Sequence, residues 1–325
     1  MTGVMVLYKY ILKRILMAIP VLIGATFLVF TIMYFAPGDP AEIILGSNAT
    51  QESLEALRTK LGVNDPFIVQ YGRVFFNLLR GDLGTSYRNS LPVTALIADR
   101  LCNTIYLAVS GILFAVIIGI PVGVISAIKQ YSLLDDIIMF LTLFVTAVPT
   151  FWLALILVIV FSVNLGWFPA SGMGRGAYNF FISLILPMLT LGCGYAALIA
   201  RTTRASVLDV KRQDYIDTAR AKGLGEDVVV WCHMMQNALI PIVTVVGLNF
   251  GVLLGGSVLT ESIFSWPGVG RFVVESISYK DTPAVLGSIV VLAILFTLVN
   301  LMVDLIYAVL DPRIKSQYQN AWKRG

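Results

Sequence analysis

The sequence predicts an all-α integral membrane protein of about six transmembrane helices with both termini in the cytoplasm. Three observations carry this: an apolar composition, six uncharged runs long enough to cross a bilayer, and a lopsided distribution of Lys and Arg. Apolar residues make up 58% of the chain and charged residues 13%, with a mean hydropathy of +0.84. That balance leaves too little polar surface to solvate a soluble globule of this size, so lipid is part of the solvent. No stretch outside the apolar runs is long or varied enough for a core of its own. Residues 1–325 therefore read as a single transmembrane domain without a linker.

A helix needs about 20 apolar residues to cross a hydrocarbon core roughly 30 Å thick. The first run, residues 15–35, follows Lys9, Lys13 and Arg14. It is too long for a signal-peptide core and has no small-residue cleavage site, so it is read as a retained first helix. Residues 36–101 form a long outward loop of mixed charge, with turn chemistry at Pro37-Gly38-Asp39-Pro40 and Gly81-Asp82-Leu83-Gly84. The second span covers residues 103–128. Leu107 to Ile128 alone holds thirteen Leu, Ile, Val or Phe, each worth about −0.3 to −0.6 kcal/mol of insertion near a helix centre. The third span is read over 137–165, ended at the membrane surface by Gly166-Trp167-Phe168-Pro169-Ala170-Ser171-Gly172. Spans at 180–200, 239–260 and 284–303 complete the six, and Asp304 can reach the interface from the last. Pro20, Pro121, Pro149, Pro187 and Pro241 are read as local kinks that neighbouring helices tolerate. Gly119, Gly123 and Ala127 form a small-residue stripe suited to close packing against another helix.

Orientation follows from the cations on alternate sides. One side receives Lys9, Lys13, Arg14, Lys129, Arg201, Arg204, Lys211, Arg212, Arg220, Lys222, Arg313, Lys315, Lys323 and Arg324; the short loops of the other receive Arg175, Arg271 and Lys280. The six cations of the long outward loop are discounted, because long segments translocate regardless of charge. Both termini are thus expected inside, together with a loop at about 201–238.

The same residues exclude several chemistries. Cys102, Cys193 and Cys232 lack CxxC spacing, and His233 is the only histidine, so neither a disulfide framework nor a histidine-based metal site is expected. There is no GxxxxGK[ST] phosphate loop and no GxSxG elbow, so the chain is expected neither to hydrolyse ATP nor to act as an enzyme. The net charge of +4 is scattered between apolar runs, which argues for cytoplasmic loop bias rather than nucleic acid. A secondary transporter driven by an ion gradient, acting without an ATPase, is the alternative. It usually needs ionisable residues within its spans, which are essentially missing here, or broken helices that offer backbone groups.

The inward segment has more local structure. Asp214-Tyr215-Ile216-Asp217-Thr218-Ala219-Arg220-Ala221-Lys222 places acids early and bases late, complementing a helix dipole. Gly223-Leu224-Gly225 stops that helix, and a second helical stretch runs from Glu226 to Met235. Helix, glycine turn and helix should therefore be exposed together.

That stretch, continuing to Leu239-Ile240-Pro241, resembles the EAA loop of permease subunits in bacterial ATP-binding-cassette importers, in the form found in the dipeptide, oligopeptide, nickel and glutathione group. Asp217 stands where the general pattern has Glu, Thr218 replaces its first Ala, and Gln236 lies near a common Leu-Pro pair. Ala36-Pro37-Gly38-Asp39-Pro40, Gly81-Asp82-Leu83-Gly84-Thr85-Ser86, Glu261-Ser262-Ile263-Phe264-Ser265-Trp266-Pro267-Gly268-Val269-Gly270-Arg271, Asp304-Leu305-Ile306-Tyr307-Ala308 and Asp311-Pro312-Arg313 are similar to further signatures of that group. The resemblance implies an EAA-type coupling loop between spans 4 and 5, carried by Tyr215, Asp217, Thr218, Ala219, Arg220, Ala221, Lys222, Gly223 and Leu224. It implies a second related permease, two ATPase subunits and an extracytoplasmic substrate-binding protein as partners. ATP and magnesium would sit on the ATPases, leaving no cofactor in this chain. The location implied is the bacterial inner membrane, and the cargo a peptide or a related small substrate. Thr244, Asn249 and Ser257 could line the passage or hydrogen-bond between helices.

Overall fold

The computed structural model describes residues 2–46 and 49–310; for residues 2–10, 13, 15, 256 and 307–310 it describes the backbone alone. Asp311-Pro312-Arg313 and the cations Lys315, Lys323 and Arg324 lie outside the described residues. The described chain is helical apart from its turns and one isolated bridge between Thr85 and Pro92. It contains five helices long and apolar enough to cross a membrane, or six when one bent pair is counted as a span.

Helix α1 (Thr2–Phe35) packs against α14 (Thr282–Leu310), the last of the described helices. At one end Arg14 pairs with Asp304 at 2.6 Å. At the other, Lys280 Nζ donates to the carbonyls of Met33, at 3.3 Å, and Ala36. A cation at a helix C-terminus satisfies orphan carbonyls and complements the dipole. The start of α1 therefore meets the end of α14, and the two helices run antiparallel.

Residues 36–101 are more ordered than a long loop. They hold α2 (Pro40–Leu45), α3 (Gln51–Leu61), α4 (Phe67–Leu79) and the beginning of α5 (Val93–Ile128). Asp39 caps α2, accepting from the Ala41 N–H at 2.9 Å, and also accepts from Arg58 of α3 at 2.6 Å. The second apolar run is thus extended by ten helical residues, 93–102, because hydropathy marks where a helix is apolar and not where it starts.

The small-residue stripe of α5 does pack on another helix, α8 (Ala177–Lys211). A Cβ on Gly119 would lie 2.7 Å from the Ala196 carbonyl oxygen, and one on Gly123 would lie 2.4 Å from that of Ala200. Gly111 faces Leu191, so positions rise together along both helices and the pair is parallel. Between them comes a broken element. The run read as one span at 137–165 is two helical segments, Leu133–Ala147 (α6) and Thr150–Asn164, the second starting as α7 (Thr150–Leu157) and continuing as a π-helix (Val158–Asn164). They are bent by 99° at Val148-Pro149. Pro149 is the N-cap of α7 and not an internal kink, a position where its missing N–H costs nothing. Pro20, Pro121, Pro187 and Pro241 lie inside helices.

The bent pair reaches both ends of α8. Near α6's start, Arg204 donates to both carboxylate oxygens of the buried Asp135, at 2.8 and 2.7 Å, and Ser126 of α5 donates to the same carboxylate. Beyond the bend, Ala154 clusters with Leu186 of α8 and with Phe264, with Phe161 and Phe168 packed around them. Leu186 and Arg204 are about 27 Å apart along α8.

After α8 come α9 (Asp214–Ala221), the short α10 (Glu226–Val228), a π-helical stretch (Val229–Met234) and α11 (Met235–Gly256). Helices α12 (Val258–Ile263) and α13 (Val269–Ser278) then lead to α14. Leu107, Leu191, Ile199, Leu253, Leu254 and Trp266 form the centre of the main core.

Candidate functional site

Helix α9 presents two faces. Ile216 and Ala219, 0% and 7% exposed, are packed with Val207, Leu208, Val229, Val230 and Met234. Tyr215, Asp217, Thr218, Ala221, Lys222 and Leu224 are exposed. The helix stops as its sequence requires. Gly223 has φ +80°; its N–H donates to the Arg220 carbonyl at 2.9 Å, and the Leu224 N–H to the Ala219 carbonyl at 3.4 Å. These are the two bonds of a Schellman closure, which needs a left-handed residue at the glycine position. Arg220 then folds the next segment back, donating to Glu226 at 2.7 and 3.3 Å and lying 3.6 Å from Asp217. Asn237 of α11 donates to the Tyr215 hydroxyl at 2.8 Å. The result is a short rigid helix seated on the end of the bundle, with its outer surface uncovered. A cleft of about 500 Å³ opens beside it, lined by Pro121, Ile125, Lys211, Glu226 and Trp231 among others.

The residues considered for the passage separate. Thr244 and Asn249 of α11 are half-buried and donate to carbonyls four residues back, Ile240 at 2.9 Å and Val245 at 2.6 Å. Five residues apart, they project about 140° from one another around the helix. Between those directions lies the exposed stripe of Pro241, Leu248, Val252 and Gly255. Ser257 is elsewhere: it is 1% exposed and donates to Glu261 at 2.9 Å.

Glu261 is the centre of a buried cluster that sequence reading registered only as part of a signature. The residue is 0% exposed. Its carboxylate accepts from Ser257 and from Thr104 of α5, each at 2.9 Å, and from the Arg271 N–H in the first turn of α13 at 2.9 Å. Thr104 accepts in turn from the Val269 N–H at 2.8 Å. Burial pushes the Glu261 carboxyl up from its ordinary range, while these donors oppose the shift. A Cβ on Gly268 would stand 2.4 Å from the Glu261 carboxyl carbon, which is why glycine occupies that turn. Trp266, 0% exposed, donates its indole N–H to the Asn103 carbonyl at 2.9 Å. The signature thus fastens α12 and α13 to α5.

A second cluster joins residues of two further signatures. Asp281 accepts from the Ser86 hydroxyl, from the Tyr87 N–H at 3.1 Å and from the Ala284 N–H at 3.3 Å, while the adjacent Lys280 caps α1. Arg88 stacks 3.7 Å over the Tyr279 ring. Residues 36–40 and 81–88 therefore meet at residues 279–281. A cavity of about 480 Å³ lies beneath α3 and α4, lined by Lys60, Gln70, Arg73, Asn77, Asp82 and Tyr87 among others.

Comparison with known proteins agrees with this architecture. Residues 119–316 match the family described as binding-protein-dependent transport system inner membrane component, and residues 7–108 match the N-terminal family of such membrane components. The chain is 46% identical to a dipeptide transport system permease protein, DppB, of Alkalihalophilus pseudofirmus, over 94% of this chain and 99% of that one. It is 44% identical to an oligopeptide transport system permease protein, AppB, of Bacillus subtilis, and 42% identical to a glutathione transport system permease protein, GsiC, of Pectobacterium atrosepticum, with the same coverage. Among solved structures, a chain of the inward-facing MetNI methionine ABC transporter superposes with a TM-score of 0.54 at 19% identity, covering 67% of this chain and 97% of that one; this likeness concerns the fold alone. Two family matches covering most of the chain, and relatives matched almost end to end, lead to one conclusion: the chain belongs to the binding-protein-dependent transport system inner membrane components, as a multi-pass, non-catalytic permease subunit of an ATP-binding-cassette transporter.

Proposed function

We propose that this chain forms half of the translocation pathway of an importer for peptides or a related small substrate, and that α9 is the element through which ATPase subunits move it. The observation that carries the coupling role is the build of α9: one face locked into the bundle, a glycine-closed end, and an uncovered outer surface bearing Tyr215, Asp217, Thr218, Ala221, Lys222 and Leu224. Ala219, Arg220 and Gly223 hold that surface in place, and a rigid lever needs such support.

The proposed topology is one membrane domain with six spans and both termini cytoplasmic. Antiparallel α1 and α14 require an even number of crossings between one terminus and the other, and parallel α5 and α8 require one crossing between them. The bent pair, reaching both ends of α8, supplies it. Part of the outward residues 36–101, outside α4, is the surface we assign to an extracytoplasmic binding protein. The passage itself is placed on the uncovered stripe of α11, edged by Thr244 and Asn249 and completed by a second, related permease. Ser257 supports the Glu261 cluster instead. The mostly apolar stripe suits cargo that must not be held tightly.

The test is uptake by proteoliposomes carrying the complete complex. ATP-dependent accumulation that persists with an uncoupler is expected; accumulation abolished by the uncoupler while ATP remains would overturn the proposal in favour of an ion-coupled carrier.

A further inference from the structure

Helix α4 divides its thirteen residues among three faces. Gln70, Arg73 and Asn77 share one and turn toward the outer cavity; Gln70 donates to the Val63 and Asp65 carbonyls at 2.8 and 2.7 Å, and Arg73 pairs with the Asp65 carboxylate. Phe67 and Tyr71 form the second face and pack on α1, with ring centroids 5.1–6.0 Å from Phe27, Phe30 and Tyr34. The third face is bare and apolar: Ile68 is 80% exposed, Val69 50%, Phe76 61% and Leu79 66%.

The depth of the crossing decides what covers that face. Charged Lys13 and Arg14 set one limit of α1 within the membrane, leaving residues 15–35, about 31 Å of helix, to cross a core about 30 Å thick. There is no spare length, so Phe35 lies at the opposite interface. The Tyr71 hydroxyl nevertheless reaches the Ile23 carbonyl at 3.4 Å and the Thr26 hydroxyl at 3.5 Å. Ile23 is about 18 Å along the helix from Phe35, beyond the middle of the core. We infer that α4 is seated inside the bilayer and that lipid acyl chains cover Ile68, Val69, Phe76 and Leu79.

A soluble partner cannot reach that depth. Helix partners within a membrane favour Gly, Ala, Ser and Thr at their contacts, whereas this face carries four bulky apolar side chains and a single small residue, Gly72. Helix α1, against which α4 packs, itself carries exposed Phe27, Leu28 and Ile32.

The inference rests on α1 crossing the bilayer, and the experiment separates the two. Nitroxide labels are placed at positions 68 and 76, at 28 on α1 and at 60 as an aqueous reference, in complete transporter with Cys102, Cys193 and Cys232 replaced by serine, in nanodiscs. Collision with oxygen should exceed collision with a water-soluble nickel chelate several-fold at 28, 68 and 76, with the reverse at 60. Oxygen preference at 28 but chelate preference at 68 and 76 would overturn the seating of α4 alone; chelate preference at 28 would remove its premise. Labels at 68 and 76 that are immobilised and shielded from both reagents would mean a protein partner covers the face, which also overturns it. If the label at 76 disrupts assembly, the more exposed position 68 carries the test.

Discussion

Replacing Gly223 isolates the helix stop from everything else around it. The residue has φ +80°, and an added Cβ would meet nothing within 4 Å. Substitution therefore creates no clash, and the cost is confined to the backbone: about 1–2 kcal/mol for a side-chain-bearing residue in the left-handed region. That lowers the population of the closed stop about 5- to 30-fold against competing conformations. Asn tolerates this region and should be nearly silent, Ala should be impaired, and β-branched Val should be worst. Gly225 is the control, because its φ of −63° suits any residue; Gly225→Ala should behave as wild type. The assay is substrate transported per ATP hydrolysed by the complete complex in proteoliposomes, with subunit association measured in parallel. Expected coupling falls in the order Gly, Asn, Ala, Val, while the spans still insert. Equal losses for Asn and Val would show that side-chain bulk and not backbone strain is responsible, and unchanged coupling in all three would refute the lever.

Gly123→Val should destabilise the bundle, since its Cβ would sit 2.4 Å from the Ala200 carbonyl oxygen and 2.6 Å from Thr203 Cβ; overpacking of this kind costs about 1–3 kcal/mol or more, to be read as a lower melting temperature of detergent-solubilised protein. Glu261→Ala strands the Ser257, Thr104 and Arg271 donors in a buried site, at about 1–3 kcal/mol for each group left unpaired. Glu261→Gln keeps the shape and should lose less, by the same melting measurement. Single cysteines replacing Lys60 and Arg212 should be labelled, respectively, from outside intact cells and only after permeabilisation; labelling of position 212 in intact cells would contradict the proposed topology.

Local chemistry was legible in the sequence, and long-range pairing was not. The stop at Gly223 could be read because an acid-to-base helix and its glycine are contiguous. The stripe of Gly119, Gly123 and Ala127 announced close packing but not its partner, which lies on α8. The apolar run at 137–165 concealed the break at Pro149, because four other prolines within spans remain in continuous helices and tertiary support decides between the outcomes. The start of α5 at Val93 was hidden by Asp99 and Arg100, charges that end an apolar run without ending a helix. Lys280 was counted only as a short-loop cation, since its partner at Met33, like the Ser86 partner of the adjacent Asp281, is remote in sequence. Glu261 stood in a recognised signature, yet its position at the first turn of α13 requires the fold.

The most direct measurement is a cross-link from the outer face of α9. With the native cysteines replaced by serine, a cysteine replacing exposed Ala221 in the complete complex, labelled with a maleimide–benzophenone reagent, should be photo-cross-linked to an ATPase subunit by C–H insertion. The same treatment at position 60 should give no such product. Co-purification of the ATPases with no cross-link from position 221, or from Lys222 and Leu224 beside it, would contradict the claim that α9 is the coupling surface.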